Sequence, residues 1–368
     1  MDIIVALMPR LAAILTSLIM ILNTFAGSYA PQIKTMQSIR KLCDGYYVMD
    51  CDYDYDARDI LEKGVDGTVA LLYNGLKTVF TGRRGFGCTT FNSVTAKGDY
   101  LLSRNFDYMD SPALLVRTTP ENGYASISTV SLYFLGYELS PDGEFVADNT
   151  KNNVVTLLAP YLALDGINEK GFAIAVLELE TNPTFQISLK PNLTTTTMIR
   201  ACLDNAATVD EAVEIFRSHD MRDLLLDECK YHFQLSDASG KSAVIEYYRN
   251  RMYVIRPEKS KNNVVDYQAA TNFHLVKGAR DPDGMGQERY DTVMAKLKKT
   301  RGVLSEKQAM NLLESVSMKD ADLHGYICST LWSDVFNMSK RTVSICCFNN
   351  YRRNFRFSVK KPLLEQIG

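Results

Sequence analysis

This 368-residue sequence is poor in the features that assign a protein to a specialised class. It has no basic run, no internal repeat and no low-complexity tract, and its net charge is −2 with a pI near 6.2. Nothing in that balance attracts a polyanion, so no nucleic-acid partner is expected. Histidine occurs only four times, as His219, His232, His274 and His324, which limits where imidazole chemistry can sit. The eight cysteines include no Cys-x-x-Cys pair, the spacing common in zinc sites. They are also too sparse for a disulfide scaffold. Spacing alone leaves Cys43 with Cys51, and Cys202 with Cys229, open as pairs. The acidic run Asp52-Tyr53-Asp54-Tyr55-Asp56 lacks the spaced ligands and closing Glu of a calcium loop. It reads as a solvated loop, and neither a metal nor a cofactor is expected.

What is present is the composition of an ordinary globular protein, 46% hydrophobic and 23% charged, enough to build its own core. Near the N-terminus, Leu11 to Ala26 is an almost continuous apolar run. A charged start precedes it and the small residues of Ser28-Tyr29-Ala30 follow. That order predicts a signal peptide over 1–30 and a secreted or extracytoplasmic protein. The run is short for a membrane span of about 20 residues. An uncleaved anchor counted from Ile3 is the alternative, and either gives the leader transient membrane contact. Residues 31–87 then read as a propeptide, with Asn74-Gly75 turning a hairpin inside it. Residues 88–368 are long enough for one large catalytic domain.

The chemistry concentrates in Gly85-Phe86-Gly87-Cys88-Thr89-Thr90-Phe91 and, one hairpin later, Ser103-Arg104-Asn105-Phe106-Asp107-Tyr108. A free thiol with pKa near ~8.5 needs a base at neutral pH. An α-amino group titrates near ~7.7–8.0. If the bond after Gly87 is cut, Cys88 carries its own base, the logic known for Thr beside an N-terminal amine. Gly85 and Gly87 allow strained backbone at such a cut. Thr90–Val94 reads as a strand, Lys97-Gly98-Asp99 as a turn and Tyr100–Asn105 as the returning strand. The hairpin brings Arg104 and Asp107 back beside Cys88. A carboxylate there would orient the amine, and a guanidinium would favour the thiolate.

Cys-Thr-x-Phe followed by Arg-Asn-x-Asp-Tyr at this spacing resembles the choloylglycine hydrolase family, the bile salt hydrolases and penicillin V acylases among the N-terminal-nucleophile (Ntn) hydrolases. Further patches keep the family's order. They are Asp165-Gly166-Ile167-Asn168-Glu169-Lys170-Gly171, Asp237-Ala238-Ser239-Gly240, Thr271-Asn272, Arg289 at a helix start, and a closing hairpin around Trp332. The resemblance implies an α+β fold, a four-layer αββα sandwich of two antiparallel sheets flanked by helices. It implies autoproteolysis and hydrolysis of a linear, non-peptide amide, with a small-molecule N-acyl amide as the partner. It also leaves a homo-oligomer open. By resemblance the catalytic set is Cys88, Arg104, Asp107, Asn272 and Arg289, with Asn272 donating to the oxyanion. One departure stands out: the family pocket position held by Asn or Tyr falls on Glu178, and a carboxylate is a poor oxyanion donor.

The rest of the chain alternates strand and helix signals. Tyr124–Phe134 is β-rich. Thr194–Phe216 has a helical period, as do Glu288–Lys299 and Ser305–Ser317. Loops 108–119 and 133–139 carry Tyr, Phe and Leu suited to an apolar acyl group. Two other readings use the same residues. A papain-type hydrolase needs one of the four histidines beside Cys88. A catalytically silent binding homologue would leave the Gly87–Cys88 bond intact.

Overall fold

The computed structural model describes residues 30–64, 87–137, 154–179, 181–222, 230–279, 284–323 and 325–367. The leader up to residue 29, Gly85, the Asn74-Gly75 hairpin, Cys229 and His324 fall outside them. The described chain opens with α1 (Ala30–Gln37), β1 (Arg40–Cys43), β2 (Tyr46–Cys51) and α2 (Ala57–Lys63). The predicted hairpin follows as β3 (Gly87–Val94) and β4 (Tyr100–Tyr108), then β5 (Ala113–Thr118) and β6 (Ser126–Ser131). Next come β7 (Asp165–Asn168), β8 (Ala173–Glu178), β9 (Asn192–Leu193), α3 (Thr195–Asn205), α4 (Val209–Ser218) and β10 (Asp220–Met221). After them run β11 (Tyr231–Ser236), β12 (Ser242–Tyr248), β13 (Arg251–Ile255) and β14 (Ala269–Ala270). The chain closes with α5 (Gln287–Thr300), α6 (Glu306–Ser315), β15 (Ala321–Leu323), β16 (Tyr326–Asn337), β17 (Thr342–Cys347) and β18 (Phe355–Ser358).

Two large sheets result. One runs β1-β2-β5-β6-β7-β8-β11-β12-β13, the other β14-β3-β4-β16-β17-β18 with β15 beside β16. Helices α3 and α4 cover β7, β8, β11 and β12 of the first, and α5 and α6 cover β3, β4, β14 and β16 of the second. This is the αββα layering. Strand alternation sorts the side chains between layers. In β3, Thr90 reaches across to Gln234 of the other sheet (2.5 Å), while the next residue, Phe91, packs with Val293, Leu297 and Leu313 under α5 and α6.

The helical period over 194–216 is divided into two helices. Thr194 caps α3 in a capping box with Thr197, and Thr208 starts α4 by accepting the Glu211 N–H. A Thr with Glu three residues on is itself a start signal, and it breaks the longer run.

The segment read as a propeptide is built into the fold over its described part. All six residues of β2 are buried, and β2 pairs antiparallel with β1 and parallel with β5. The Asp50 carboxylate accepts the N–H groups of Leu363 and Leu364, which ties this segment to the C-terminus. The acidic run is solvated only at its aspartates. Asp52, Asp54 and Asp56 are exposed, but Tyr55 is buried and donates to Asp204 at 2.8 Å. The aromatic rings, spaced by two, turn inward and correct the solvated-loop expectation. The register also excludes a Cys43–Cys51 bridge. Cys43 pairs with Tyr46, and Cys51 lies about 16 Å further along β2 at ~3.3 Å per residue.

Candidate active site

Strand parity builds the site. Cys88 pairs with Phe106 and Gly87 with Asp107 across the β3–β4 hairpin. Cys88, Arg104 and Phe106 therefore share the face between the sheets, while Gly87, Thr89 and Asp107 share the face under α5. The hairpin does return Arg104 and Asp107 to Cys88, but on opposite faces.

On the inner face Arg104 Nη2 lies 3.8 Å from Cys88 Sγ and donates to the Val176 carbonyl at 3.2 Å. Its Nη1 binds the Asp165 carboxylate and the Leu164 carbonyl. Trp332 Nε1 donates to the same Asp165 oxygen at 2.9 Å, and its ring stacks on Phe106 at 4.0 Å. Cys88, Arg104, Asp165, Phe106 and Trp332 are all buried. Burial pushes the Cys88 thiol up to about 11 against the pull of the Arg104 charge. In the uncut chain the sulfur thus keeps its proton at neutral pH.

On the outer face Arg289 joins the set. It lies in the first turn of α5. Its Nη1 donates to the Cys88 carbonyl (2.5 Å) and to Thr89 Oγ1 (3.0 Å), and it sits 3.5 Å from Asp107 Oδ2. Its Nη2 donates to Asn272 Oδ1 at 2.8 Å. Gly286, the α5 cap, makes room for this reach: a Cβ there would lie 2.5 Å from Arg289 Nη2, and its φ of 82° suits glycine. Thr330 donates to Asp107 Oδ1 at 2.5 Å. Burial raises the Asp107 carboxyl, with Arg289 and Thr330 opposing.

Asn272 closes the ring. Its Oδ1 accepts the Cys88 N–H at 2.8 Å as well as Arg289, and its Nδ2 donates to the Glu178 backbone carbonyl at 3.0 Å. In the uncut chain the Cys88 amide nitrogen is held by Asn272. Glu178 meets the site through its carbonyl oxygen. Gly87 lies in extended strand. Its lack of a Cβ admits Asp107, which would stand 3.0 Å from one.

Several residues around this ring carry no single-residue sequence signal. Asp165 opens the Asp-Gly-x-Asn-Glu-Lys-Gly stretch but reads there as part of a turn. Trp332 is conspicuous only as the single tryptophan, and Thr330 not at all. A second polar cluster sits behind Asn272. His232 Nε2 lies 2.7 Å from the Thr271 carbonyl and its Nδ1 2.9 Å from Glu246 Oε1. Glu246 also accepts the N–H groups of Leu275 and Val276, and His274 Nδ1 is 3.4 Å away. Of the described histidines, His219 bonds the Leu61 and Ile215 carbonyls. None of these contacts brings a described imidazole to Cys88.

At the end of β4, Tyr108, Tyr133 and Phe134 form an aromatic group with ring centroids 5.9–6.2 Å apart, next to Phe106. Residues 138 and 139 of that loop lie outside the described chain.

The sequence model of the linear amide C-N hydrolases, choloylglycine hydrolase family, matches residues 88–277, just over half of the chain, beginning at Cys88. A penicillin V acylase of Pectobacterium atrosepticum is 37% identical over 119 residues, and the match spans 29% of the length of each protein. Among solved structures, a conjugated bile acid hydrolase variant of Clostridium perfringens superposes with a TM-score of 0.54 at 16% identity, over 76% of this chain and 94% of that one. A penicillin V acylase of Agrobacterium tumefaciens gives 0.51 at 17% identity, over 74% and 87%. The two structures establish the shared fold.

Proposed function

Because the chain belongs to the choloylglycine hydrolase family of linear amide C–N hydrolases, we propose that it hydrolyses an N-acyl amide with Cys88 as an N-terminal nucleophile. The single observation that carries this is Asn272 Oδ1 holding the Cys88 nitrogen while Arg104 faces the Cys88 sulfur. One residue's nitrogen and sulfur are each held by a separate polar group, as cooperation between them requires.

The nucleophile is made by the chain itself. Cys88 Sγ attacks the Gly87 carbonyl carbon and gives up its proton, the C–N bond breaks, and the leaving Cys88 nitrogen takes that proton to become a free amine. Water then hydrolyses the thioester, leaving a Gly87 carboxylate and a free Cys88 amine and thiol. In turnover that amine takes the thiol proton, and the sulfur attacks the substrate carbonyl. The oxyanion is met by a backbone N–H and by the Asn272 amide, an ionised acceptor outcompeting the neutral Glu178 carbonyl. The amine returns the proton to the leaving nitrogen, and water releases the acid from the acyl-enzyme. Arg104 and Arg289 set the charge around the sulfur and its carbonyl. The aromatic group at Tyr108, Tyr133 and Phe134 supports an apolar acyl half.

In this reading the leader 1–30 directs export, and 88–368 is the catalytic chain. Cys88→Ala is expected to stay at full mass and to release no amine from any member of an N-acyl amide panel, while the natural chain is cut and active. Hydrolysis by the alanine variant would overturn the mechanism.

A further inference from the structure

Beyond the catalytic thiol, two others stand face to face. Cys43 ends β1 and pairs across the hairpin with Tyr46, whose ring meets Phe348 edge-on at 6.5 Å. Phe348 directly follows Cys347, the last residue of β17. Parity separates the neighbouring thiols of that strand. Cys346 belongs to the cluster under the helices, whereas Cys347 belongs to the core against which Cys43 packs. The Cys43 and Cys347 side chains hydrogen-bond to each other. Both are reduced in the structure.

We propose that Cys43 and Cys347 form a disulfide that clasps the two sheets together. Resting on the proposed cut after Gly87, the same bond joins the segment before the cut to the chain after it. The oxidant is a small-molecule disulfide of the oxidised-glutathione class. Cys43 is only half buried, and its thiol is held below the usual range by the Cys347 hydrogen bond, with Arg353 and Lys41 assisting against burial. It is the attacking thiolate. Its sulfur displaces one glutathione thiolate and forms a mixed disulfide. Cys347, 4% exposed and pushed well up by burial, then loses its proton, and its sulfur displaces the second glutathione. Two protein thiols are oxidised and one glutathione disulfide is reduced to two thiols. Outside a reducing cytosol the bond persists.

The test is intact mass of the full chain under denaturing conditions, after treatment with oxidised glutathione and alkylation. Without reductant, one covalent species is expected, lighter by two hydrogens than the sum of its chains. With reductant, two chains appear. Cys43→Ser and Cys347→Ser should each release the chains without reductant, and Cys346→Ser should not. Two chains without reductant in the oxidised natural protein would overturn the disulfide. A single full-length chain after reduction would instead overturn the cut. In that case the disulfide is read from a tryptic digest, as peptide 42–58 linked to peptide 342–352; its absence there overturns the proposal on its own.

Discussion

A fully buried guanidinium and carboxylate hold the surroundings of Cys88. Arg104 and Asp165 are both fully buried and bonded to each other, with Trp332 on the same carboxylate oxygen. Removing one partner strands the other charge, a loss of about 3–5 kcal/mol in comparable buried pairs. Arg104→Met is therefore expected to lower the unfolding free energy by that order, read from urea denaturation. Arg104→Met with Asp165→Asn is expected to regain part of it, because the stranded charge is gone. Equal losses in the single and double variants would show that the pair is not what stabilises this spot. The sequence shows why only half of the pair is legible. Arg104 lies on a strand whose hairpin geometry can be counted back to Cys88. Asp165 reaches it from the other sheet, and no local spacing predicts which strands face each other. Asn272 and Arg289 become readable only through family likeness, since an Asn after a strand or an Arg on a helix has commoner local uses.

At the scale of elements, short β14 and the loop after it carry Asn272, so something must fix them. The His232–Glu246 pair on β11 and β12 does this from behind, binding the Thr271 carbonyl and the Leu275 and Val276 N–H groups. Although burial works against it, hydrogen bonds from His232 and His274 bring the Glu246 carboxyl down to about 2. Unfolded, a Glu titrates near ~4.3. The depressed native value means stability present above ~4.3 and lost as pH falls toward 2. Glu246→Gln should cost about 3 kcal/mol at neutral pH. That deficit should shrink between about pH 4.5 and pH 2, read as urea midpoints of both proteins. A deficit as large at pH 3 as at pH 7 would refute the linkage. The hairpins β3–β4, β7–β8 and β11–β12 were legible because turn residues such as Gly98, Gly171 and Gly240 punctuate them; all three have positive φ. The split between α3 and α4 is hidden in the sequence because an apolar period runs through both.

For the whole molecule, the main surprise is the sheet position of the segment before Cys88. Composition marks 31–87 as polar and short, which suits a discarded leader. Register places β2 inside a nine-stranded sheet, a long-range pairing that no local pattern reveals. A cut after Gly87 then yields two chains rather than one. The piece carrying β1 and β2 is expected to co-elute with 88–368 on size exclusion in reductant, and to separate only in denaturant. Elution of the catalytic chain alone under native, reducing conditions would show the segment is shed. Release would also expose the buried faces of β5 and the core residues that β2 covers.

Trp332, the chain's sole indole, stacks on Phe106, the residue paired with Cys88. All tryptophan fluorescence of this protein therefore originates two strands from Cys88 in the same sheet. Acyl transfer, thiol alkylation or ligand entry can be followed by emission from the natural chain, without a label.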